Sequence, residues 1–237
     1  MYTIFNSTKP SMPRIEIKTL HQEVAERIRK MIRKGDLLRG QKIDEKLLCE
    51  TMGVSRTPVR ESLRILHSEG LVDLIPHKGA YVSQPPIEEI RDMFEVMSVL
   101  EGMCARLATQ KMTEKDFKKI QTLHLKLESH FKDRDHEAYL DTNSLLHEFV
   151  QEVSGNKALN EVINGLRQKI LLYRHRQLYH KDRFERSMQE HRDILEAFRN
   201  RDAELAESSM KKHLTNQCDA LMELYAGKPM EGNSLAA

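Results

Sequence analysis

The sequence predicts a mainly α-helical protein in two parts: three short helices with a β-hairpin, and behind them an all-α bundle. Apolar residues recur at helical spacing through most of the chain, and the short runs "LVDLI" and "AYVS" instead favour strands. Pro85 and Pro86 separate the two parts, because proline cannot continue a strand ladder and disfavours helix in the residue before it. No βαβ alternation, GxGxxG or P-loop occurs, so nucleotide-binding α/β folds are disfavoured.

Composition limits the class of protein. The chain has 237 residues, of which 39% are hydrophobic and 31% charged, as in an ordinary helix-rich soluble protein. No run approaches the roughly 20 apolar residues of a membrane helix, and the N-terminus lacks the apolar core of a signal peptide, so we expect a cytoplasmic protein. Cys49, Cys104 and Cys218 are far apart, and we expect them to be reduced and buried.

Charge is distributed unevenly along the chain. Residues 1–86 carry 15 Lys and Arg against 10 Asp and Glu, whereas residues 87–237 carry 23 against 26. A basic first part on a mildly acidic body indicates an anionic partner for the first part only. Charge alone does not separate this interpretation from an ordinary solvated surface.

Each helix of the first part has a start or stop signal. Helical spacing of apolar residues predicts a first helix over Thr19–Lys34, which Gly35 ends. Asp44 is predicted to cap the second helix and Gly53 to end it, and Ser55 is predicted to cap the third. The buried face of the third helix is expected to consist of Val59, Leu63 and Leu66. The sequence "PHKG" between the two strands predicts a tight turn.

Three helices followed by a hairpin describe a winged helix-turn-helix, which binds DNA. The third helix can lie in the major groove, where its first turns meet base edges and phosphates. Arginine can contact guanine through two hydrogen bonds, and threonine can contact phosphate or a thymine methyl group. The candidate DNA-binding residues are Lys46, Ser55, Arg56, Thr57, Arg60, His77, Lys78 and Gly79.

The segment "LLCETMGVSRTPVRESLRILHSEGLVDLIPHKGAYVS" resembles the DNA-binding domain of GntR-type bacterial transcription factors. The resemblance implies that Arg56 and Arg60 read the operator and that the wing at His77–Gly79 reaches the minor groove. It also implies that Lys46 occupies a position usually held by arginine.

The second part contains a candidate metal site. The segment "NSLLHEF" places Asn143 and His147 at i and i+4 on one helix face, and "RNRDA" is a tight turn between helices that carry His191 and His213. If those two helices are antiparallel, their histidines lie at a similar height. Three neutral imidazoles with an oxygen ligand suit a first-row divalent metal. The predicted helices of this part are 87–110, 113–132, 135–154, 157–180, 183–200 and 202–226.

Spacing alone leaves alternatives open, because the chain has 11 histidines and a given histidine is more often a surface or core residue than a ligand. A metal-dependent hydrolase is the rival from another class, since a three-histidine centre could activate water. No HExxH motif supplies its general base, and the first part has no role in it. A constitutive DNA-binding protein with a vestigial bundle is a second rival.

The segments "LLHEFVQEVSGNKAL" and "EHRDILEAFRNRDAELAESSMKKHL" are similar to the ligand-binding (FCD) domain of the FadR subgroup of GntR regulators. The resemblance implies a bundle of six or seven helices that holds zinc, nickel or another divalent metal with one Asp and three His. The three histidines fall on His147, His191 and His213, but the Asp falls on Asn143, a neutral and weaker ligand. The resemblance therefore implies a site of lower affinity, or one that depends on a bound anion.

The segment "FEVMSVLEGMCARLA" resembles the first helix of the same domain, in which an arginine commonly holds a carboxylate effector. Met97 stands at that place, which implies a more apolar effector or a carboxylate held by other groups. Arg167, Arg174 and Arg176 are candidates for the substitute charge, although each could instead be a surface residue.

Together these observations predict a metabolite-responsive transcriptional regulator that is not an enzyme. It is expected to act as a repressor, to bind a palindromic operator as a homodimer, to respond to a small-molecule effector and to have no membrane partner. The predicted organisation is a flexible arm at 1–14, the winged helix at 15–83, a linker at 84–88, the effector and metal domain at 89–228 and a disordered tail at 229–237.

Overall fold

The structure is a computed structural model that describes residues 19–178 and 182–226, without the side chains of residues 171–177. The arm predicted at 1–14 and the tail predicted at 229–237 lie outside the described residues. Within them the chain forms nine helices and one two-stranded sheet. These are α1 (Leu20–Lys34), α2 (Glu45–Met52), α3 (Arg56–Ser68), β1 (Val72–Ile75), β2 (Gly79–Val82), α4 (Ile87–Lys111), α5 (Glu114–Lys132), α6 (His136–Ser154), α7 (Lys157–Gln177), α8 (Arg183–Arg199) and α9 (Ala203–Ala226). The predicted fold class is confirmed.

The head, residues 20–82, follows its sequence signals closely. Gly35 and Gly53 end α1 and α2 with φ of 84° and 67°, a left-handed conformation that glycine adopts most easily. The Asp44 carboxylate accepts hydrogen bonds from the backbone N–H groups of Lys46 and Leu47 at 2.8 and 3.1 Å. Ser55 is the residue before α3, but its side chain makes no capping hydrogen bond, so the predicted side-chain cap is wrong. Ser55 is exposed to solvent instead.

The hairpin pairs Val72 with Val82 and Ile75 with Gly79 in antiparallel register. Its turn is closed by the Lys78 N–H, which donates to the Ile75 carbonyl at 3.1 Å. Proline fixes the first central position of this turn, and His77 has a φ of 62° at the second, as a type II turn requires. A histidine in the left-handed region is uncommon, because glycine is the usual residue at this position of the turn. The tip of this hairpin therefore carries an imidazole where most such turns have no side chain.

A single apolar core holds the head together. Ile28 of α1, Val59, Leu63 and Leu66 of α3, and Val82 of β2 are all buried in it. The predicted inner face of the third helix is therefore confirmed. This core anchors α3 on its apolar side and leaves the opposite side of its first turns exposed to solvent.

The bundle, residues 87–226, is organised around α4, which packs against α6, α7 and α9. Helices α8 and α9 form an αα-hairpin, in which the Asp202 carboxylate accepts the Leu205 N–H at 2.9 Å and begins α9. The three cysteines carry free thiols. Cys104 and Cys218 are buried as expected, whereas Cys49 is only half-buried, which corrects that prediction.

The head and the bundle touch through a few named contacts. Helix α1 packs against α7, and the Lys34 ammonium lies 3.5 Å from the Glu137 carboxylate. The Arg39 guanidinium lies 5.0 Å from the centre of the Tyr225 ring on α9, a cation–π geometry. None of the helices in the described ranges combines the length and the apolar character that crossing a membrane requires.

Candidate functional site

A groove of about 600 Å³ lies between the start of α3 and the wing. It brings together four of the sequence-predicted DNA-binding residues: Lys46, Arg56, Arg60 and Gly79. The other four, Ser55, Thr57, His77 and Lys78, are exposed at the start of α3 and at the wing tip. All eight candidates are therefore open to solvent on the head.

Two of the basic groups in the groove are paired with carboxylates. The Arg60 Nε donates to Glu45 Oε2 at 2.9 Å, and this hydrogen bond raises the pKa of Arg60. Lys46 lies 3.8 Å from the Glu50 carboxylate, and both side chains are well exposed. Arg56 forms no ion pair with any residue in the described ranges. The role of Glu45 was not predicted from the sequence. Its carboxylate pairs with Arg60, one of the two arginines expected to contact DNA bases.

The bundle brings His147, His191 and His213 together in its interior. One ring nitrogen from each lies within 4.8 Å of those of the other two, and all three side chains are buried. The ring centres of His191 and His213 are 4.5 Å apart, and His147 lies 5.7 and 5.4 Å from them. Helix α6 contributes the first histidine, and the α8–α9 hairpin brings the other two to the same height, as their spacing around the "RNRDA" turn predicts.

Two carboxylates, the buried Glu101 and the partly buried Glu190, orient two of these imidazoles. Glu101 on α4 contacts His147 Nδ1, and Glu190 Oε2 lies 2.7 Å from His213 Nδ1. An ionised carboxylate only accepts hydrogen bonds, so both imidazoles donate from Nδ1 and keep the lone pair of Nε2. Gln217 Nε2 lies 2.6 Å from His213 Nε2 and can donate to that lone pair.

Each carboxylate is in turn held by a buried arginine. The Arg167 Nη2 donates to Glu101 Oε1 at 2.6 Å. Arg183 is fully buried and donates to both oxygens of Glu190 at 3.0 and 2.8 Å. Burial alone would raise the pKa of Glu190, but hydrogen bonds and charge from His213 and Arg183 hold that pKa at about 2. The orienting carboxylate therefore stays ionised at neutral pH.

The electrostatics of the cluster favour neutral imidazoles. Burial lowers the pKa of His147 to about 4, although the Glu101 carboxylate acts in the opposite direction. Burial, together with charge on the neighbouring histidines, holds the pKa of His191 well below its ordinary value. A neutral imidazole is the form that binds a metal ion.

Several polar atoms around the cluster have no hydrogen-bond partner among the described residues. They include His147 Nε2, both ring nitrogens of His191 and Asn143 Oδ1, and all are buried. Leaving such groups unpaired costs free energy, so the cluster fits a ligand that accepts electron pairs from nitrogen and oxygen. A divalent metal ion has this property, and the three-histidine triad could bind one.

The candidate effector residues have different surroundings. Met97 is buried in the apolar core of the bundle. Arg167 is also buried, and its Nε and Nη1 atoms have no partner within the described part of the chain. The side chain of Arg174 lies outside the described residues, as does that of Arg176.

Sequence reasoning missed Glu101, Glu190 and Arg183. The available signal was Glu190 beside His191, but adjacent residues on a helix do not face each other, and this carboxylate contacts His213 on α9 instead. Glu101 lies in the "VLEG" segment among apolar residues, a placement that favours a buried, paired carboxylate. Neither pairing is visible without knowing how the helices pack.

Comparison with known proteins identifies both parts of the chain. The family model described as "Bacterial regulatory proteins, gntR family" matches residues 20–82, and the FCD domain model matches residues 92–216. The chain belongs to the GntR family of transcriptional regulators and carries an FCD domain. Its resemblance to the FadR-type GntR proteins is thereby confirmed.

Individual GntR-type regulators match most of the chain. The HTH-type transcriptional regulator LutR of Bacillus subtilis is 30% identical over 212 residues, which cover 81% of this chain and 96% of LutR. The HTH-type transcriptional repressor RspR of Escherichia coli is 24% identical over 94% of this chain and 95% of RspR. The solved structure of McbR/YncC from E. coli covers 88% of this chain with a TM-score of 0.77 at 23% identity, so the fold is shared. These relatives are regulators, which points away from an enzyme.

Proposed function

We propose that this GntR-family protein is a ligand-responsive repressor that binds a palindromic operator as a homodimer. The observation that carries the proposal is the groove between α3 and the wing, in which Lys46, Arg56 and Arg60 face solvent together. Cations grouped along the expected recognition helix fit the anionic surface of a DNA groove. The name of RspR supports the repressor role.

The residues around the groove would contact different parts of the DNA. Arg56 and Arg60 would contact base edges from the start of α3, while Ser55 and Thr57 would contact phosphate near the helix N-terminus. Lys46 would contact the DNA backbone. His77, Lys78 and Gly79 would contact DNA from the wing, where the left-handed conformation of His77 presents its imidazole.

For the bundle we propose a divalent metal, zinc or nickel, held by Asn143, His147, His191 and His213. The buried, unpartnered nitrogens of His147 and His191 and the unpartnered Oδ1 of Asn143 support this ligand set. Coordination by Nε2 of His213 would require Gln217 to give up its contact with that atom. When bound, the ion would supply a Lewis-acidic position that attracts an anionic effector.

The effector is proposed to carry a carboxylate. Arg167 keeps two buried donor atoms without a partner, and it lies next to the cluster through its bond to Glu101, which contacts His147. Met97 makes the neighbouring α4 surface apolar. A ligand with one carboxylate and an apolar remainder would match both surroundings, and Arg174 is a further candidate contact.

Coupling to DNA would pass through the contacts between head and bundle. Helix α7, which carries Arg167, packs against α1, and α9, which carries His213, also carries the Tyr225 ring that meets Arg39. An effector that prefers one placement of α7 or α9 would therefore bias the placement of the head. Operator affinity would change only by the extent of that preference.

The test of DNA recognition is a gel-shift titration with DNA selected from random sequence by the wild-type protein. Arg56→Ala and Arg60→Ala should each weaken binding by about tenfold or more, since a bidentate base contact contributes about 1–3 kcal/mol. Arg27→Ala is the matched control, because Arg27 is an exposed arginine paired with Glu23 on α1, away from the groove. Normal binding by both groove variants would overturn the recognition assignment.

A second experiment separates the proposal from its rivals. Metal analysis and a thermal-shift screen of small carboxylates, each with and without Zn²⁺ or Ni²⁺, test the bundle directly. A response to metal and carboxylate that also changes operator affinity supports the proposal. No response to either favours a constitutive DNA-binding protein, and metal-dependent turnover in a hydrolysis screen favours the enzyme.

A further inference from the structure

Helix α4 exposes an apolar stripe although three other helices of the bundle pack against it. It packs against α6, α7 and α9, yet Val96, Val99 and Met103 are 49%, 55% and 44% exposed. These three residues are spaced by three and four positions, so they form one continuous face. A long apolar face on the outside of a central helix is typical of a protein interface.

Opposite charges flank this stripe symmetrically. Asp92 and Arg106 are exposed and lie seven residues before and seven residues after Val99. At 100° per residue all five positions fall within an arc of about 80°, and each charge lies about 10 Å along the axis from Val99. An antiparallel second copy of α4, related by a two-fold axis close to Val99, would place Asp92 near Arg106 and Val96 near Met103, each within about 1.5 Å along the axis of the symmetric position.

We propose that the face of α4 formed by Asp92, Val96, Val99, Met103 and Arg106 is the surface on which a second copy of this chain docks. The inference rests on the homodimer of the proposed function and assigns it an interface. A two-fold interface requires that each contact between one residue and another occur twice, with the copies exchanged. The charges and the apolar residues of the stripe both meet this requirement to within one residue of a common axis, which an unrelated partner would not demand.

The charges at the ends of the stripe are available for this contact. Asp92 makes no hydrogen bond or ion pair within the described residues. Arg106 donates to Glu207 at 3.1 Å but remains 45% exposed, so that contact holds its guanidinium at the rim of the stripe without covering it. Because an arginine has five donors, it can pair with Glu207 and with Asp92 of a second copy together.

The experiment measures the mass of the full-length chain by sedimentation equilibrium across a concentration series. The wild type should sediment at twice the chain mass of 27.6 kDa. Val99→Asp should raise the dimer dissociation constant by at least about tenfold, since it places a charge at the two-fold axis. Leu125→Asp is the matched control, because Leu125 is a 68% exposed leucine on α5, outside the stripe.

Charge reversal gives a second, independent test of the pairing. Asp92→Arg and Arg106→Asp, each made with Glu207→Gln to remove the intramolecular partner, should each weaken the dimer. The two reversals together should restore it towards the level of Glu207→Gln alone. Circular dichroism on the same samples confirms that each variant is folded.

The outcomes separate the interface from the proposed function. A dimer that survives Val99→Asp and both charge reversals overturns the α4 interface but leaves the regulator intact. A wild-type chain that stays monomeric overturns both the interface and the proposed homodimer. A variant that is still dimeric but no longer binds operator in gel shifts would have lost recognition by the head, which does not involve this surface. The dimer mass therefore decides the inference.

Discussion

Glu190 is adjacent to His191 in sequence, yet its Oε2 lies 2.7 Å from Nδ1 of His213 on the neighbouring helix. The same carboxylate accepts two hydrogen bonds from Arg183. It also accepts one from the side-chain amide of Asn216 at 2.7 Å. One residue thus ties α8 to α9 and fixes the ring of a candidate metal ligand. Partners of this kind set the tautomer of a ligating histidine.

Glu190→Gln should therefore weaken binding of Zn²⁺ by roughly 10–100-fold, the range seen for partners of metal-ligating histidines. A glutamine can donate to Nδ1 of His213 and so stabilise the tautomer whose proton sits on Nε2, the atom that a metal needs. Isothermal titration measures the affinity, and the absorption spectrum of bound Co²⁺ reports the change in coordination.

The matched control for this prediction is Glu128→Gln. Glu128 also forms a two-hydrogen-bond ion pair with an arginine, Arg192, at 2.7 and 2.8 Å, but it contacts none of the three histidines. Its substitution should leave metal affinity within about twofold of the wild type. Equal affinities for the Glu190 variant and the wild type would contradict the orienting role.

Asn143→Asp should strengthen metal binding. The substitution replaces a buried neutral oxygen ligand with a charged one, and each 1.4 kcal/mol of added attraction gives a factor of about ten in affinity. Without metal the buried carboxylate costs free energy, so the metal-free variant should melt at a lower temperature than the wild type. Titration with Zn²⁺ and thermal melts with and without the ion measure both effects.

The gain in metal affinity from Asn143→Asp should depend on the three histidines. In a His147→Ala background the same substitution should give little improvement, because the ligand set is already broken. A gain of equal size in that background would mean that the new carboxylate binds the ion elsewhere and that Asn143 is not part of this site.

Local signals explain how much of the fold could be predicted. Gly35, Gly53 and Asp44 mark helix ends through backbone conformation or capping, and these properties belong to the residue and its neighbours alone. Ser55 shows the limit of such signals. It stands at the start of α3 as expected, but its hydroxyl is free for another partner.

The candidate site was predictable only in part, because its residues differ in how they depend on packing. The histidines of α8 and α9 could be paired by counting residues from a tight turn. The contacts of Glu101 with His147 and Arg167 join α4, α6 and α7, and no sequence period links those helices. Burial of Arg167 depends on that contact, since a charged residue is buried only when it is paired.

Gly35→Ala should lower the melting temperature. Gly35 has a φ of 84°, and an added Cβ would meet no atom within 4 Å, so the cost is backbone strain of about 1–2 kcal/mol without a clash. For a chain of this size that corresponds to a shift of roughly 2–8 °C. Gly165→Ala is the control with the opposite sign, because Gly165 lies inside α7 with open space around it and alanine favours helix. A rise in melting temperature for both variants would contradict the strain at Gly35.

Glu45→Gln should tighten binding to operator DNA. The Glu45 carboxylate holds Arg60 at 2.9 Å on the exposed surface of the groove, and DNA must compete with it. An exposed ion pair is weak because solvent screens it, so its removal should raise affinity by at most about fivefold. The gain should shrink as salt rises, because salt screens both the ion pair and the attraction to phosphate.

Two further variants assign the cause of that gain. Glu61→Gln removes one negative charge from α3, the helix that carries Arg60, but releases Arg64, which does not line the groove, so it reports the effect of net charge alone. Adding Arg60→Ala to Glu45→Gln should abolish the gain in operator affinity, because the arginine that Glu45→Gln releases is then absent. If the two single variants tighten binding equally, or if the gain survives the loss of Arg60, then Glu45 acts through overall charge and does not restrain the recognition helix.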